Sequence, residues 1–173
     1  ADAAALRSFK QEFRSVADVS HRNLVALYEL GCDRDEWYIA MELVDGANFV
    51  SAVRGDHDRL RVALGELAEG LSVLHAAGHV HRDIKPGNVM IEHGGRVVIL
   101  DFGLIAALSP RAGTPGYTAP EVLAGYPPSP AADFYAVGVM LHEVLAGTRM
   151  VGKAKLWGPD DLVRLCTALL EPD

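Results

Sequence analysis

Between Val80 and Ile91 the chain reads VHRDIKPGNVMI, which gathers His81, Arg82, Asp83, Lys85 and Asn88 around Pro86 and Gly87. A surface turn needs the Pro-Gly pair but not this set of polar types beside it. A guanidinium, a carboxylate, an ammonium and an amide precede the apolar run Val89-Met90-Ile91, and together they suit either a solvated loop or the floor of an active site. The neighbouring histidines His75, His79 and His81 lack the HExxH frame of a helical zinc site, so zinc is not the reading they support. Cys32 and Cys166 lie far apart and match no metal or redox spacing; both are expected to be reduced core thiols.

Ten residues after Ile91 come Asp101-Phe102-Gly103, closing the apolar run VVIL, and residues 113–121 read GTPGYTAPE. In this order and behind a leucine-rich helix, HRDIKPGN, DFG and GTPGYTAPE resemble the catalytic core of the eukaryotic-like serine/threonine protein kinases. The abundance of alanine hints at a bacterial genome. The resemblance implies an α+β, bilobal protein-kinase-like fold. A partial, β-rich small lobe would cover residues 1–44, and a mostly helical large lobe residues 45–173. It also implies transfer of the ATP γ-phosphate to Ser or Thr hydroxyls of a protein substrate, with Mg2+. Such transfer needs a hydroxyl aimed in line and a cage for triphosphate charge more than it needs covalent help.

By the same resemblance, Asp83 accepts the substrate hydroxyl's proton and Lys85 neutralises the transferring phosphoryl group. Asn88 and Asp101 supply oxygens, the ligand type Mg2+ prefers. Thr114 matches the threonine that contacts the catalytic aspartate and lysine. His81 takes a structural place beneath Phe102, and Asp133 ties down the backbone of the HRD stretch. Arg82 is placed to pair with a phosphorylated activation loop. Glu12, nine residues before His21, matches the ion-pairing glutamate of the small-lobe helix. Met41 looks like the gatekeeper, with Glu42 to Val44 as the hinge. There the Glu42 carbonyl and the Val44 N–H would bond adenine, and Met90 would pack under its ring.

Lysine in the run KPGN points to serine and threonine rather than tyrosine, and GTPGYTAPE to protein rather than a small metabolite. A pseudokinase, acting as a binding or regulatory scaffold, is the alternative reading. The pattern also departs from the family. No GxGxxG loop occurs, nor a small-lobe strand carrying the phosphate-binding lysine. Between DFG and APE the stretch is short, Ser109 is its one hydroxyl before Thr114, and Ile105 stands where a small residue is common. The chain stops at LLEPD, before the arginine that in the family pairs with the APE glutamate, here Glu121. The expectation is a kinase domain with segments missing, inactive without them, and part of a longer protein with additional domains.

Elements of definite kind must position these residues. Leu6, Phe9, Phe13 and Val16 predict a helix over residues 5–18. LVALYELG and EWYIAMELV predict two strands around residues 32–35, the hairpin ending at the Asp45-Gly46 pair. Leu60, Leu64, Leu67, Leu71 and Leu74 step by four and three, so a helix buries one leucine face and ends at Gly78. NVMIEH and RVVILDF predict a hairpin through Gly94-Gly95. Residues 103–130 read as loop, with a helical turn at PEVLA. Residues 131–146 are apolar nearly all round and predict a central helix. A last helix follows Pro159, with Asp160 and Asp161 at its positive end.

At 173 residues, 50% of them hydrophobic, the chain can bury a core of its own. Its net charge of −7 argues against a nucleic-acid partner or an anionic membrane surface. The most apolar run, YAVGVMLHEVLAG, is interrupted by His142 and Glu143, and the stretch ADAAALRSFKQEF carries charges where a signal peptide needs an apolar run, so none is expected in it. A cytoplasmic location is expected.

Overall fold

The structure, a computed structural model, describes residues 10–11, 13–34, 36–102, 114–148 and 155–171. Glu12, Ile105 and Ser109 lie outside the described residues.

A first helix, α1, helical at 10–11 and 13–17, sets Phe13 against Leu27, Leu30 and Ile39 of a hairpin. The hairpin strands are β1 (Leu27–Asp33) and β2 (Glu36–Met41), antiparallel with Leu27 opposite Met41 and Asp33 opposite Glu36. Both strands are shorter than their apolar runs. Leu24 and Val25 belong elsewhere: Val25 N–H donates to Ile99 O at 3.0 Å, and Ile99 N–H to Asn23 O at 2.9 Å. An apolar run shows that residues are buried, not which strand they join.

After Met41 the chain crosses to a second sheet of order β3-β4-β5, made of β3 (Gly46–Asn48), β4 (Val89–Glu92) and β5 (Val97–Ile99). The Asp45-Gly46 pair therefore opens a strand and does not simply close the hairpin. Gly46 is required there, because a Cβ would lie 2.2 Å from Ile91 O. A short helix α2 (Phe49–Val53), also unforeseen, starts where the Asn48 side chain accepts Ser51 N–H at 3.0 Å.

Helix α3 (His57–Ala76) is capped by the Asp56 carboxylate, which accepts Arg59 N–H at 2.9 Å. Its five leucines are all buried, and each such side chain contributes about 1.5–3 kcal/mol of hydrophobic stabilisation. The helix ends before Gly78, whose φ of +82° needs no Cβ. The turn α4 (Pro120–Leu123) precedes α5 (Pro130–Ala146), the central helix, with ten buried residues. Helix α6 (Asp160–Leu170) packs on α5 so closely that a Cβ on Gly138 would meet Leu169 Cβ at 2.8 Å.

The result is a small antiparallel hairpin region beside a mostly helical remainder, an α+β arrangement. Cys166 is a buried thiol, pushed up to about 11 by burial. Cys32 corrects the expectation of two core thiols: it is exposed, at the turn end of the hairpin opposite the exposed Trp37 and beyond the Leu30–Ile39 pair that Phe13 packs against. Among the described residues no helix is long and apolar enough to cross a membrane.

Candidate active site

Asp133 in the first turn of α5 organises the loop that carries the charged stretch. It is 1% exposed, and its Oδ2 accepts His81 N–H and His75 Nε2–H, each at 2.8 Å. Its Oδ1 accepts Arg82 N–H, also at 2.8 Å. A buried carboxylate is costly unless its oxygens are satisfied, and here they are. The bonds hold Arg82 at φ +71°, a left-handed conformation that a non-glycine residue adopts only when its surroundings impose it.

His81 is buried between this anchor and β5. Asp83 N–H donates to its Nδ1 at 3.2 Å, so the ring proton sits on Nε2 and donates to Leu100 O at 2.8 Å. Burial lowers the imidazole's proton affinity, with the Asp133 carboxylate pulling the other way, and the neutral ring fits both bonds.

The loop then brings four of the predicted residues together. Lys85 Nζ donates to Asp83 Oδ2 at 2.6 Å and to Thr114 Oγ1 at 2.9 Å. Thr114 Oγ1 donates to Asp83 Oδ1 at 2.7 Å. Asn88 Nδ2 donates to Asp83 O at 2.9 Å and to Oδ2 at 3.0 Å. Burial alone would raise the Asp83 carboxyl. The Lys85 ammonium, the Thr114 hydroxyl and the Asn88 amide outweigh it and hold the group below its usual range. Thr114 is itself fixed by its carbonyl, which accepts Tyr117 N–H at 3.0 Å. Tyr117 in turn donates from its hydroxyl to Glu143 Oε2 of α5 at 2.6 Å.

Because the Asn88 amide nitrogen is turned to Asp83, its Oδ1 is the atom left for a cation. Asp101 is brought near by Leu100, whose N–H donates to Asn88 O at 2.9 Å. Asp101 has φ +55° and lies two residues beyond the end of β5. One amide oxygen and one carboxylate suit Mg2+, which keeps several waters and takes few protein ligands. Among the described residues no group of three His, Cys, Asp or Glu side chains could hold a metal.

Met41, Glu42, Val44 and Met90 share a second, open groove with Ile39 and Leu100. Its wall is apolar and its rim is the main chain crossing between the sheets, a suitable berth for a flat heteroaromatic ring. Glu12, the remaining predicted residue, cannot be placed. Sequence reasoning missed Arg96, which grips Glu42 from the β4–β5 turn with Nη1 and Nη2 at 2.6 and 3.1 Å. It also missed Glu66, which accepts from Asn23 Nδ2 and from Val97 N–H, each at 2.9 Å.

A family model described as "Protein kinase domain" matches residues 2–158. The chain is 33% identical over 154 residues to serine/threonine-protein kinase PrkC of Bacillus subtilis, covering 82% of this chain and 24% of the relative. To serine/threonine-protein kinase PknL of Mycobacterium tuberculosis it is 35% identical over 158 residues, 84% of this chain and 40% of the relative. A human protein, serine/threonine-protein kinase PAK 4, is 34% identical over 140 residues, 75% of this chain and 24% of its own length. The chain thus spans between a quarter and two fifths of these curated relatives.

Proposed function

Because the chain belongs to the protein kinase family, we propose that it is part of an active serine/threonine kinase, a cytoplasmic module of a longer protein. Residues 1–44 contribute to its small lobe and residues 45–173 to its large lobe. Adenine lies in the groove of Met41, Val44 and Met90, bonded by the Glu42 carbonyl and the Val44 N–H. Asn88, through Oδ1, and Asp101 are the residues that would hold Mg2+, which would supply positive charge to the phosphates. Asp83 orients the hydroxyl of a protein Ser or Thr and accepts its proton. As the new P–O bond forms, the bond from the γ-phosphorus to the ADP oxygen breaks, and Lys85 offsets the charge on the moving phosphoryl group. Thr114 keeps the Asp83 carboxylate and the Lys85 ammonium in register.

One observation carries this reading: the buried Asp83 carboxylate is bonded at once by an ammonium, a hydroxyl and an amide, which hold it below its usual range. The test is transfer of labelled phosphate from Mg2+–ATP by the full-length protein, with mass spectrometry locating the product. Asp83→Asn should cut kcat by about 10³-fold or more while nucleotide affinity stays nearly unchanged. Transfer that survives this change intact would end the assignment. A folded protein that binds ATP but transfers nothing would be a scaffold instead.

A further inference from the structure

Glu42 lines two cavities at once. On one side is the groove it shares with Met41, Val44 and Met90; on the other is a cleft walled by Ser20, His21, Arg22 and Arg96. On the cleft side it is held at several points. Its N–H donates to Ala26 O at 2.8 Å, and its Oε2 accepts Ala26 N–H at 3.2 Å. Arg96 binds both carboxylate oxygens, Nη1 to Oε1 at 2.6 Å and Nη2 to Oε2 at 3.1 Å. Among the described residues, the main-chain carbonyl is the Glu42 group for which this cleft supplies no bond.

Arg96 is itself fixed. Its Nε donates to Arg22 O at 2.6 Å, and Nη1 reaches Glu92 at 3.4 Å. The two side chains are 26% and 21% exposed, so the fork is half-desolvated and its geometry is defined. The guanidinium lies next to β5 while Glu42 follows β2, so one side chain spans the joint between the two sheets. Arg96 is the main reason the Glu42 carboxyl sits below its ordinary range.

We infer that Arg96 is a positioning residue for nucleotide binding: by clamping the Glu42 side chain from behind, it fixes the angle at which the Glu42 carbonyl and the Val44 N–H face the groove. The inference rests on the reading of that groove as the adenine site, and it concerns affinity rather than the chemical step. A planar fork is favoured, because the three bonds come from three separate nitrogens, Nε, Nη1 and Nη2, whereas lysine concentrates its donors at one point.

The experiment uses the full-length protein with Mg2+–ATP, measuring KM and kcat for Arg96→Gln, Arg96→Lys and Glu42→Gln. Arg96→Gln and Glu42→Gln should each raise the KM for ATP about tenfold with kcat within about twofold, and the double variant should be no worse than either. Arg96→Lys should recover only part of the loss. An ATP KM within about twofold of the parent in both Gln variants overturns the inference. So does a loss shared equally by kcat and thermal stability, which would make the pair a structural tie. In either case an intact Asp83→Asn effect keeps the reading of the site standing. If the parent protein binds no ATP, that reading and the inference fall together.

Discussion

Thr114 and Asp83 are joined by a 2.7 Å hydrogen bond from the threonine hydroxyl to one carboxylate oxygen, while Lys85 occupies the other at 2.6 Å. Thr114 also accepts from Lys85 at 2.9 Å, so a single hydroxyl spans both charges. The segment containing Thr114 is thereby fastened to the loop containing Asp83 at the point where a reacting hydroxyl would enter.

Removing that hydroxyl should be felt in turnover. Thr114→Val keeps the shape of the side chain but frees the carboxylate oxygen and lets Lys85 drift, a misplacement that costs about 10²-fold in kcat. Thr114→Ser retains the hydroxyl and should stay within about fivefold of the parent. Steady-state kinetics with varied ATP would decide the matter, and equal activity in the Val and Ser variants would show that the bond is incidental.

Asp133 should matter chiefly for stability. Asp133→Ala strips the acceptor from the His81 and Arg82 amides and from His75, and leaves buried N–H groups unpaired, at about 3 kcal/mol or more. Asp133→Asn keeps one acceptor oxygen and should fall between. Urea midpoints at constant m-value would measure the series. A loss below about 1 kcal/mol for the alanine variant would contradict the anchoring role.

Acid should weaken the fold through two histidines. Burial lowers both His81 and His142 from an ordinary value of 6.5, and His142 Nδ1 is buried without a hydrogen-bond partner among the described residues. Below 6.5 the unfolded chain takes up protons that the folded chain refuses. The stability present above that pH is therefore lost as pH falls through it toward the lowered folded-state values. Each histidine contributes at most about 1.4 kcal/mol per pH unit. His142→Leu should flatten the fall in urea midpoint between about pH 7.5 and 5.5, and also relieve the orphaned nitrogen. An unchanged slope in that variant would mean that His142 takes up its proton in the folded state as readily as in the unfolded one.

Local periodicity made much of the fold legible. The leucine ladder of α3, the all-round apolar α5 and the β4–β5 hairpin each repeat a pattern over enough residues to identify the element. Strand β3 and helix α2, of three and five residues, are too short to carry a period. Leu24 and Val25 read as part of the first hairpin strand, but the structure bonds their backbone segment to β5, some seventy positions away, which no window contains. The site divides in the same way. Asp83, Lys85 and Asn88 fall within one loop and could be read together. The Arg96–Glu42 fork joins residues 54 apart, and the Tyr117–Glu143 bond joins residues 26 apart. Neither pair carries a local signal, because a lone charge on a turn or a helix looks the same whether it is solvated or engaged.

The backbone of the charged loop rests on a carboxylate rooted in α5, the most deeply packed of the described helices. When α5 loosens, the left-handed Arg82 and the amides beside Asp83 lose the geometry imposed on them in the same event. A form in which α5 has melted therefore lacks the ordered loop, and under the kinase reading proposed above the loss of turnover on unfolding would report the loss of that one helix.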